Sequence, residues 1–488
     1  MVSSATDFYL QLSFDICFIE QNTKQKNSYF LQIKTMSQES DETDDDIGQQ
    51  IRVKFILDAS VTNRELEVPH EPIAVPSDVR RKGLSAVINH LLGRRIGEID
   101  QEDDDEKDAA LPFDFIIHGK LLRSGVESAA RRYGLSLEQA VPLTYFPAQE
   151  APHQSGKGEP IPDWIGCIQY RDKLVATGGY DGSIRLYTLA GDILETVATT
   201  QAHSGPIKCM AVSAQESGFL IASGSLDQSL VVHAFNEETN SLDLCATFTD
   251  GHTSSIGCVG ISSQQMVSGD WDGGLSIWSL DASAAVEEQI QIPSTKKAKS
   301  SNGTTLHHTT KTVKPRCTFA GHGSQISGIA WNPFHDNTFV TCSWDHSVKV
   351  WDAEKQNCLL TLNGSRVVTC MDLSTHSQVL ATGHPDCTVR LWDVRTKDSE
   401  SASLVSDSSL KPSHKAWVSA VQWSPKDPFI LASSSHDGSL KIWDIRCTLP
   451  LHTVRTHPKE EKALCLAYGD GGLIYTGGTD CIVKQYQC

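Results

Sequence analysis

The sequence lacks the features of a membrane protein or a secreted disulfide-bonded protein. No apolar run reaches the roughly 18 residues that a membrane-spanning helix needs, and no CxxC pair occurs among the 14 cysteines. The N-terminus has no cationic segment followed by an apolar core, and the acids Asp7, Asp15 and Glu20 are unlike a transit peptide. These absences predict a soluble protein with no membrane partner.

Basic residues are also scarce. The chain has 42 Lys and Arg against 60 Asp and Glu, a formal net charge of −18. This balance excludes a protein that coats nucleic acid with its whole surface, because phosphate binding needs clustered cations. Two acidic runs, residues 40–46 and 102–108, are typical of solvated, flexible segments. Any contact with RNA must therefore be local.

Residues 1–48 are interpreted as a disordered, acidic N-terminal extension. Met36 stands directly before the polar acidic run that starts at Ser37, and many folded domains begin in this way. One hypothesis is therefore that Met36 is the functional start. Peptides from residues 1–35 in mass spectra of the native protein would contradict it.

From residue 163 to the end, seven units share one pattern. In each, a Ser or Thr precedes an Asp by four residues, and an aromatic residue or His follows that Asp by six. The aspartates are Asp181, Asp227, Asp272, Asp345, Asp386, Asp437 and Asp480. This spacing is typical of a strand that ends at the Ser or Thr, a tight turn at the Asp, and a second strand that carries the aromatic residue.

Three of the units add a His 20 to 23 residues before the Asp, together with a Trp. These sets are His252, Ser268, Asp272 and Trp278; His322, Thr341, Asp345 and Trp351; and His414, Ser433, Asp437 and Trp443. Buried polar groups need hydrogen-bond partners, and one network satisfies all four members of a set. Because the same residue types recur in unit after unit, we interpret them as structural, with no catalytic triad, metal site or cofactor.

The units resemble WD repeats. Two begin with Gly-His, at Gly251 and Gly321, and three end with Trp-Asp, at Trp351, Trp392 and Trp443. Repeats of this kind, about 40 to 45 residues long, each form a four-stranded blade. The fold class is therefore predicted to be an all-β seven-bladed WD-repeat propeller at residues 163–488, preceded by an α+β domain.

Five cysteines occupy one repeat-equivalent place, early in the first strand of a blade: Cys167, Cys209, Cys258, Cys370 and Cys465. The remaining two repeats have Gly328 and Ala420 there, so the place requires a small side chain. The thiols are predicted to be packing residues, as expected for a reduced, intracellular protein.

Successive aspartates lie 41 to 51 residues apart, except for a gap of 73 between Asp272 and Asp345. The excess is a basic insert at residues 281–316. Its cations are Lys296, Lys297, Lys299, Lys311, Lys314 and Arg316. A nuclear-import signal, an RNA-contacting patch and a merely solvated loop all remain open.

Residues 49–147 lack the repeat. The pattern predicts strands at Ile51–Leu57 and Glu65–Pro69, a helix at Gly83–Gly93, and later strands within Phe113–Gly125 and Val141–Pro147. This order favours a ubiquitin-like α+β domain, followed by a linker at residues 148–162. Because the chain stops soon after Tyr486, the closing strand of the last blade is expected from residues 143–162.

A domain of this kind before a WD propeller resembles the NLE domain. The segments GLSAVINHLLG (83–93), PFDFIIHGKLLR (112–123) and YGLSLEQAV (133–141) resemble the branch that supplies the WD-repeat subunit of the PeBoW complex. The Notchless relative has an additional blade, so a count of seven favours the PeBoW branch.

The resemblance implies a non-enzymatic scaffold of 60S ribosomal subunit assembly, in the nucleus, nucleolus and nucleoplasm. It further implies a role in maturation of 25S/28S and 5.8S rRNA within the pre-60S particle. The implied partners are the block-of-proliferation protein, pescadillo and the AAA+ ATPase midasin.

The resemblance also assigns a role to Glu138, which follows Gly134-Leu135-Ser136-Leu137. In the family, this Glu completes the metal-ion-dependent adhesion site (MIDAS) of midasin. Mg²⁺ is commonly held by one or two carboxylates and can accept a partner's oxygen in an open position. The Mg²⁺ belongs to the partner. From the sequence alone, a single Glu in a turn is read as solvent-exposed.

Two alternative functions remain. Two repeats end in WDxR, at Arg395 and Arg446, and this pattern resembles the DWD box of substrate receptors of cullin-RING ubiquitin ligases. Surface arginines at this place are also common for ordinary reasons. The third interpretation is direct contact with pre-rRNA through the basic insert.

Overall fold

The computed structural model describes residues 14–15, 34–35, 50–94, 110–190, 193–215, 218–262, 264–280, 286–287, 311–335, 337–395, 410 and 414–488. Met36 and the cations Lys296, Lys297 and Lys299 lie outside these residues. The chain divides into two compact units, residues 1–150 and 151–488. No helix in the described ranges is long and apolar enough to cross a membrane.

The described residues of the first unit form a five-stranded mixed sheet and two α-helices. A short antiparallel pair, β1 (Phe14–Asp15) and β2 (Lys34–Thr35), precedes it. The sheet strands are β3 (Gln50–Leu57), β4 (Ile73–Pro76), β5 (Phe113–Ile117), β6 (Lys120–Leu121) and β7 (Val141–Pro147), in the order β4-β3-β7-β5-β6. The helices are α1 (Arg81–Leu91) and α2 (Val126–Arg132). Strands β3 and β7 pair in parallel at the centre, as a ubiquitin-like domain requires.

The alternation of apolar and polar residues explains why β3 is a strand with one buried face: every second side chain from Ile51 to Leu57 is buried. On α1, Leu84, Val87 and Ile88 join the same core at helical spacing. A two-residue turn links β5 to β6, where His118 and Gly119 both have positive φ, 49° and 72°. These angles are those of the turn type whose twist suits a hairpin.

The predicted strand at Glu65–Pro69 is wrong. Residues Arg64–Leu66 form a 3₁₀ helix, and the second strand is β4. The apolar alternation of Leu66 and Val68 is real, because both side chains are buried. Their backbone groups, however, bond to one side chain: the Tyr145 hydroxyl donates to the Leu66 carbonyl at 2.7 Å and accepts from the Val68 amide at 3.0 Å.

The second unit is a propeller of seven blades. Blade 1 comprises β9 (Ile165–Arg171), β10 (Leu174–Gly179), β11 (Ser183–Ala190) and β12 (Ile193–Gln201). Blade 2 comprises β13 (Ile207–Gln215), β14 (Gly218–Ser225), β15 (Leu230–Asn236) and β16 (Ser241–Phe248). Blade 3 comprises β17 (Ile256–Ile261), β18 (Gln265–Asp270), β19 (Gly274–Ser279) and β22 (Cys317–Ala320).

Blade 4 comprises β23 (Ile326–Trp331), β24 (Thr338–Ser343), β25 (Ser347–Asp352) and β26 (Asn357–Asn363). Blade 5 has three described strands, β27 (Cys370–Leu373), β28 (Val379–Gly383) and β29 (Val389–Asp393). Blade 6 comprises β30 (Val418–Trp423), β31 (Ile430–Ser435), β32 (Ser439–Asp444) and β33 (His452–Arg455). Blade 7 comprises β34 (Ala463–Tyr468), β35 (Leu473–Gly478), β36 (Lys484–Gln487) and β8 (His153–Gly158).

The ring closes at blade 7. The innermost strands β9, β13, β17, β23, β27, β30 and β34 contact one another in that order, and β34 contacts β9. Strand β8 pairs antiparallel with β36, and the Gln485 side chain donates to the Ser155 hydroxyl at 3.0 Å. The closing strand therefore comes from residues 153–158, inside the range where it was expected. It occupies the middle of the segment that the sequence pattern suggested as a linker.

The basic insert lies inside blade 3, between its third strand, β19, and its fourth, β22. Two short strands belong to it, β20 (Val286–Glu287) and β21 (Lys311–Val313). They pair with each other, and β21 also pairs in parallel with β16 of blade 2. The described end of the insert thus extends the neighbouring blade.

A buried carboxyl links blades 5 and 6. Asp372, on β27, accepts a hydrogen bond from the Trp423 amide at 2.7 Å, and the Trp423 indole donates to the Asp372 carbonyl at 3.2 Å. Burial raises the pKa of this carboxyl to about 7, against the opposing effect of the Trp423 and Leu373 amides. The acid is therefore held protonated to a far higher pH than in the unfolded chain.

This pKa predicts a pH-dependent stability. Because the folded protein binds the Asp372 proton more tightly than the unfolded chain, stability should fall by roughly 1–3 kcal/mol as the pH rises from about 4 through 7. In Asp372→Asn, which has no proton to lose at this position, this contribution to the pH dependence of stability should disappear. Urea midpoints of parent and variant at pH 5 and pH 8 provide the measurement. Glu195→Gln, at an exposed acid, is the control, and equal pH dependence in parent and Asp372→Asn would contradict the prediction.

Candidate functional site

Two of the predicted four-residue networks form as expected. In blade 4, the Trp351 indole donates to the Thr341 hydroxyl at 2.8 Å, and that hydroxyl lies 2.7 Å from His322 Nε2. His322 Nδ1 is then the donor to Asp345, at 2.9 Å. Blade 6 repeats the arrangement. The Trp443 indole lies 2.8 Å from the Ser433 hydroxyl, His414 Nε2 lies 2.8 Å from the same hydroxyl, and His414 Nδ1 lies 3.5 Å from Asp437.

The network of blade 3 uses a different aspartate from the predicted Asp272. His252 Nδ1 lies 2.9 Å from Asp270, and Asp270 also accepts the amides of Gly274 and Asp272 at 2.7 and 3.0 Å. Asp270 is 4% exposed, whereas Asp272 points to solvent. Ser268 and Trp278 take their predicted places, 2.7 Å apart.

The local sequence explains this exchange. In blades 2, 4 and 6, a Ser two residues after the Asp donates to that carboxylate: Ser229, Ser347 and Ser439. Blade 3 has Gly274 at this place and cannot make the bond. Its carboxylate comes instead from the end of β18, where blades 2, 4 and 6 have Ser225, Ser343 and Ser435.

The electrostatics of these networks favour neutral imidazoles beside ionised carboxylates. Burial lowers the pKa of His322 and of His414, against the opposing effect of the partner Asp. Burial alone would raise the pKa of Asp345, but hydrogen bonds from Ser347 and Gly323 outweigh it and hold the pKa well below its usual range. Both ring nitrogens are engaged, so neither is free to act as a base or a metal ligand. Within the described ranges, no cluster of three or more His, Cys, Asp or Glu side chains could hold a metal.

The sequence pattern missed three further histidines, of which His203 and His384 share a Ser or Thr hydroxyl as in the other networks, whereas His457 contacts only its Asp. His203 lies 2.8 Å from Ser223 and 2.6 Å from Ser229 in blade 2, and His457 lies 2.9 Å from Asp480 in blade 7. Both stand 23 or 24 residues before their Asp, the expected distance. The pattern of a His together with a Trp does not detect His203 and His457, because their repeats have His233 and Tyr486 in place of the Trp. In blade 5, the histidine comes from a different position in the repeat: His384 stands two residues after Thr382, and its Nε2 lies 2.9 Å from the Thr382 hydroxyl.

The equivalent cysteines are packing residues, as predicted. Cys167 faces Gly178 across the first strand pair of its blade, and a Cβ added to Gly178 would stand 2.7 Å from the Cys167 sulfur. Blade 4 reverses the pair, with Gly328 opposite Cys342. Burial raises the pKa of the Cys167 and Cys370 thiols to about 12. The thiols are therefore neutral, and every cysteine in the described ranges is free of disulfides.

Glu138 lies in the turn between α2 and β7. Its side chain is exposed and makes no hydrogen bond or ion pair within the described ranges, but its backbone is anchored at both ends. The Glu138 amide donates to the Ser136 hydroxyl at 3.3 Å, and the Arg52 guanidinium donates to the Glu138 carbonyl at 3.0 Å. A carboxylate with four free lone-pair sites on an anchored turn can take a position in the coordination shell of another protein's metal.

The two WDxR arginines fold back onto their own blades. Arg395 lies 2.5 Å from Asp393, and Arg446 lies 2.7 Å from Asp444. Both aspartates are buried. The Arg446 guanidinium also stacks 4.4 Å above the Phe429 ring. These ion pairs give the arginines a structural role, although the Arg395 side chain remains 62% exposed.

Three cations of the basic insert fall within the described residues. Lys311 belongs to β21, Lys314 forms an exposed 3.5 Å ion pair with Asp250, and the Arg316 amide donates to the Ile277 carbonyl at 2.7 Å. Exposed pairs of this kind contribute little to stability. Import signal, RNA patch and solvated loop therefore remain predictions.

Two family models match the chain. The NLE (NUC135) domain matches residues 51–130. The WD domain, G-beta repeat, matches five times, at residues 194–233, 243–279, 313–352, 356–393 and 407–444. Each WD match ends at the third strand of one of blades 2 to 6. The first three strands of blade 1 and all of blade 7, which have Tyr187 and Tyr486 in place of the Trp, fall outside these matches.

Curated relatives cover almost the whole chain. One from Chlamydomonas reinhardtii is 32% identical over 465 residues, which span 90% of this chain and 98% of the relative. Others from Nematostella vectensis and Oryza sativa subsp. japonica are 29% and 30% identical, over 88% and 89% of this chain and 98% and 96% of their own lengths. All three bear the name "Ribosome biogenesis protein WDR12 homolog".

Proposed function

The chain belongs to the family of ribosome biogenesis proteins named WDR12 homologues, and on this premise we propose that it is a non-enzymatic scaffold of 60S subunit assembly. The proposal rests on the similarity to the relative from Chlamydomonas reinhardtii, which spans 90% of this chain and includes the NLE domain followed by the WD repeats. The networks support a scaffold role, because the His and Asp side chains that might perform chemistry are engaged in holding blades together.

In detail, we propose that the protein acts in the PeBoW complex with the block-of-proliferation protein and pescadillo, in the nucleus, nucleolus and nucleoplasm. The propeller docks onto partners in the pre-60S particle and supports maturation of 25S/28S and 5.8S rRNA. Glu138 completes the Mg²⁺ site of the midasin MIDAS domain, so that the ATPase can release the complex. The anchored turn with its free carboxylate supports this part of the proposal.

Affinity purification from nuclei, combined with analysis of the co-purified pre-rRNA, tests the proposed function. Recovery of pescadillo, the block-of-proliferation protein and late 27S-type precursors is expected. Recovery of a cullin and its linker protein without pre-rRNA would contradict it.

The cullin-RING alternative has a specific test. We expect the double variant Arg395→Ala plus Arg446→Ala to keep pescadillo and block-of-proliferation protein at parent levels, because each arginine pairs with an Asp of its own blade. The variant should be less stable by about 1–3 kcal/mol, mainly because the buried Asp444 loses the largely buried Arg446, whereas the exposed Arg395 contributes little. Co-precipitation of a cullin linker protein by the parent, and its loss in the variant, would instead favour the ligase receptor.

A further inference from the structure

Four of the ten tryptophans are exposed, and all four lie at one end of the propeller. Trp164, Trp271, Trp344 and Trp417 are 37–46% exposed. Trp164 and Trp417 directly precede an innermost strand, whereas Trp271 and Trp344 follow the second strand of a blade. Because the strands of a blade alternate in direction, these two kinds of junction share one end, here called the upper end. The basic insert and the WDxR arginines follow third strands and belong to the lower end.

Three aromatic side chains at the upper end form a connected group, here called the tryptophan cluster: Trp344, Trp417 and His436. The Trp344 and Trp417 rings meet edge to face at 6.4 Å, and His436 stacks on Trp417 at 6.2 Å. The backbone holds them in place, since the His436 amide donates to the Trp417 carbonyl at 3.0 Å. The cluster is thus a preorganised apolar surface in contact with water, the kind of surface that interface hot spots use.

Unpaired lysines surround the cluster. Lys208, Lys415 and Lys462 form no ion pair within the described ranges. Burial lowers the pKa of His436, and the charges of Lys462 and Lys208 lower it further. The carboxylate of Asp437, which opposes this lowering, already accepts hydrogen bonds from Ser439 and from the Lys415 amide. The positive charge is therefore available to a ligand.

We propose that the tryptophan cluster is the site at which a protein partner inserts an acidic segment. An aliphatic side chain of that segment packs against Trp344 and Trp417, and flanking carboxylates pair with the three lysines. The proposal rests on the proposed function, because it assigns a propeller surface to the docking partner.

Two observations favour a peptide over single-stranded RNA. His436 already covers one face of Trp417, and Trp344 meets it edge to face, so a base has little open ring surface on which to stack. The upper end also carries the turn aspartates of all seven blades, and these repel a continuous phosphate chain. A peptide with one or two acids needs only the local lysines.

Binding of purified full-length chain to purified block-of-proliferation protein tests the proposal. Trp417→Ala is expected to weaken binding at least 30-fold, as loss of a central aromatic anchor does. The double variant Lys208→Glu plus Lys462→Glu should weaken it about 10-fold and remove much of its salt dependence. Phe334→Ala, at an equally exposed aromatic of the lower end, is the matched control and should bind like the parent.

Thermal unfolding of each variant separates lost binding from lost folding, and the exposed positions Trp417, Lys462 and Phe334 should leave the midpoint unchanged. Lys208 is half-buried, so binding of the lysine double variant is measured well below its own midpoint. If the parent binds and both upper-end variants bind equally well, the proposed surface is wrong while the proposed function stands. If the parent itself does not bind, both the proposed partner and the proposed binding surface are wrong. If the variants lose RNA crosslinks instead of protein binding, the site binds RNA and the proposal is overturned.

Discussion

Asp270→Ala is expected to destabilise the propeller by about 3 kcal/mol, whereas Asp272→Ala should change its stability by less than about 0.5 kcal/mol. Asp270 is buried and accepts three hydrogen bonds, from His252, Gly274 and Asp272. Its removal leaves the His252 ring and two amides without their acceptor. Asp272 contributes only its backbone amide to this network, and its side chain lies in solvent.

Urea unfolding followed by tryptophan fluorescence gives the comparison. Asp270→Asn retains one acceptor oxygen and should fall between the parent and Asp270→Ala. Asp437→Ala, in blade 6, provides the reference for a network that follows the common spacing and should resemble Asp270→Ala. If Asp272→Ala proved the more damaging of the two blade 3 variants, the assignment of Asp270 to the network would be wrong.

Glu138→Ala is expected to abolish Mg²⁺-dependent binding to the midasin MIDAS domain, a loss of at least 100-fold in affinity. A metal position filled by water in place of a carboxylate loses the charge and the oxygen that joined the two proteins. The folded domain should be unaffected, because the Glu138 side chain is exposed and forms no hydrogen bond or ion pair within the described residues, and only its backbone is anchored by Arg52 and Ser136.

Pull-downs with and without EDTA distinguish this role from a general effect on the surface. Gln139→Ala, at the exposed neighbouring position, should bind like the parent and remain sensitive to EDTA. Glu138→Gln should fail like Glu138→Ala, because it keeps the shape of the side chain but not its charge. Binding to pescadillo and the block-of-proliferation protein should persist in all three variants. Equal MIDAS binding by parent and Glu138→Ala would remove Glu138 from this role.

The errors in the sequence-based expectations share a cause. The repeat spacing predicted Asp272, because this residue stands at the motif position of the Asp. Gly274, however, lacks the hydroxyl that donates to the equivalent Asp in blades 2, 4 and 6. Alternation at Leu66 and Val68 pointed to a strand, because buried side chains do not reveal which groups satisfy the backbone. In the structure, Tyr145, more than 70 residues further on, satisfies it.

The sequence by itself determined the seven repeats, their turn aspartates, the small side chains of the inner strands and the ubiquitin-like character of the first domain. These features follow from local rules of strand alternation, turn chemistry and side-chain volume, which repeat at readable spacing. Only the tertiary structure decided that Asp270 serves blade 3, that residues 153–158 close the ring, and that Trp344 meets Trp417 at the upper end. Each of these depends on contacts between residues distant in the chain, whose pairing no local pattern specifies.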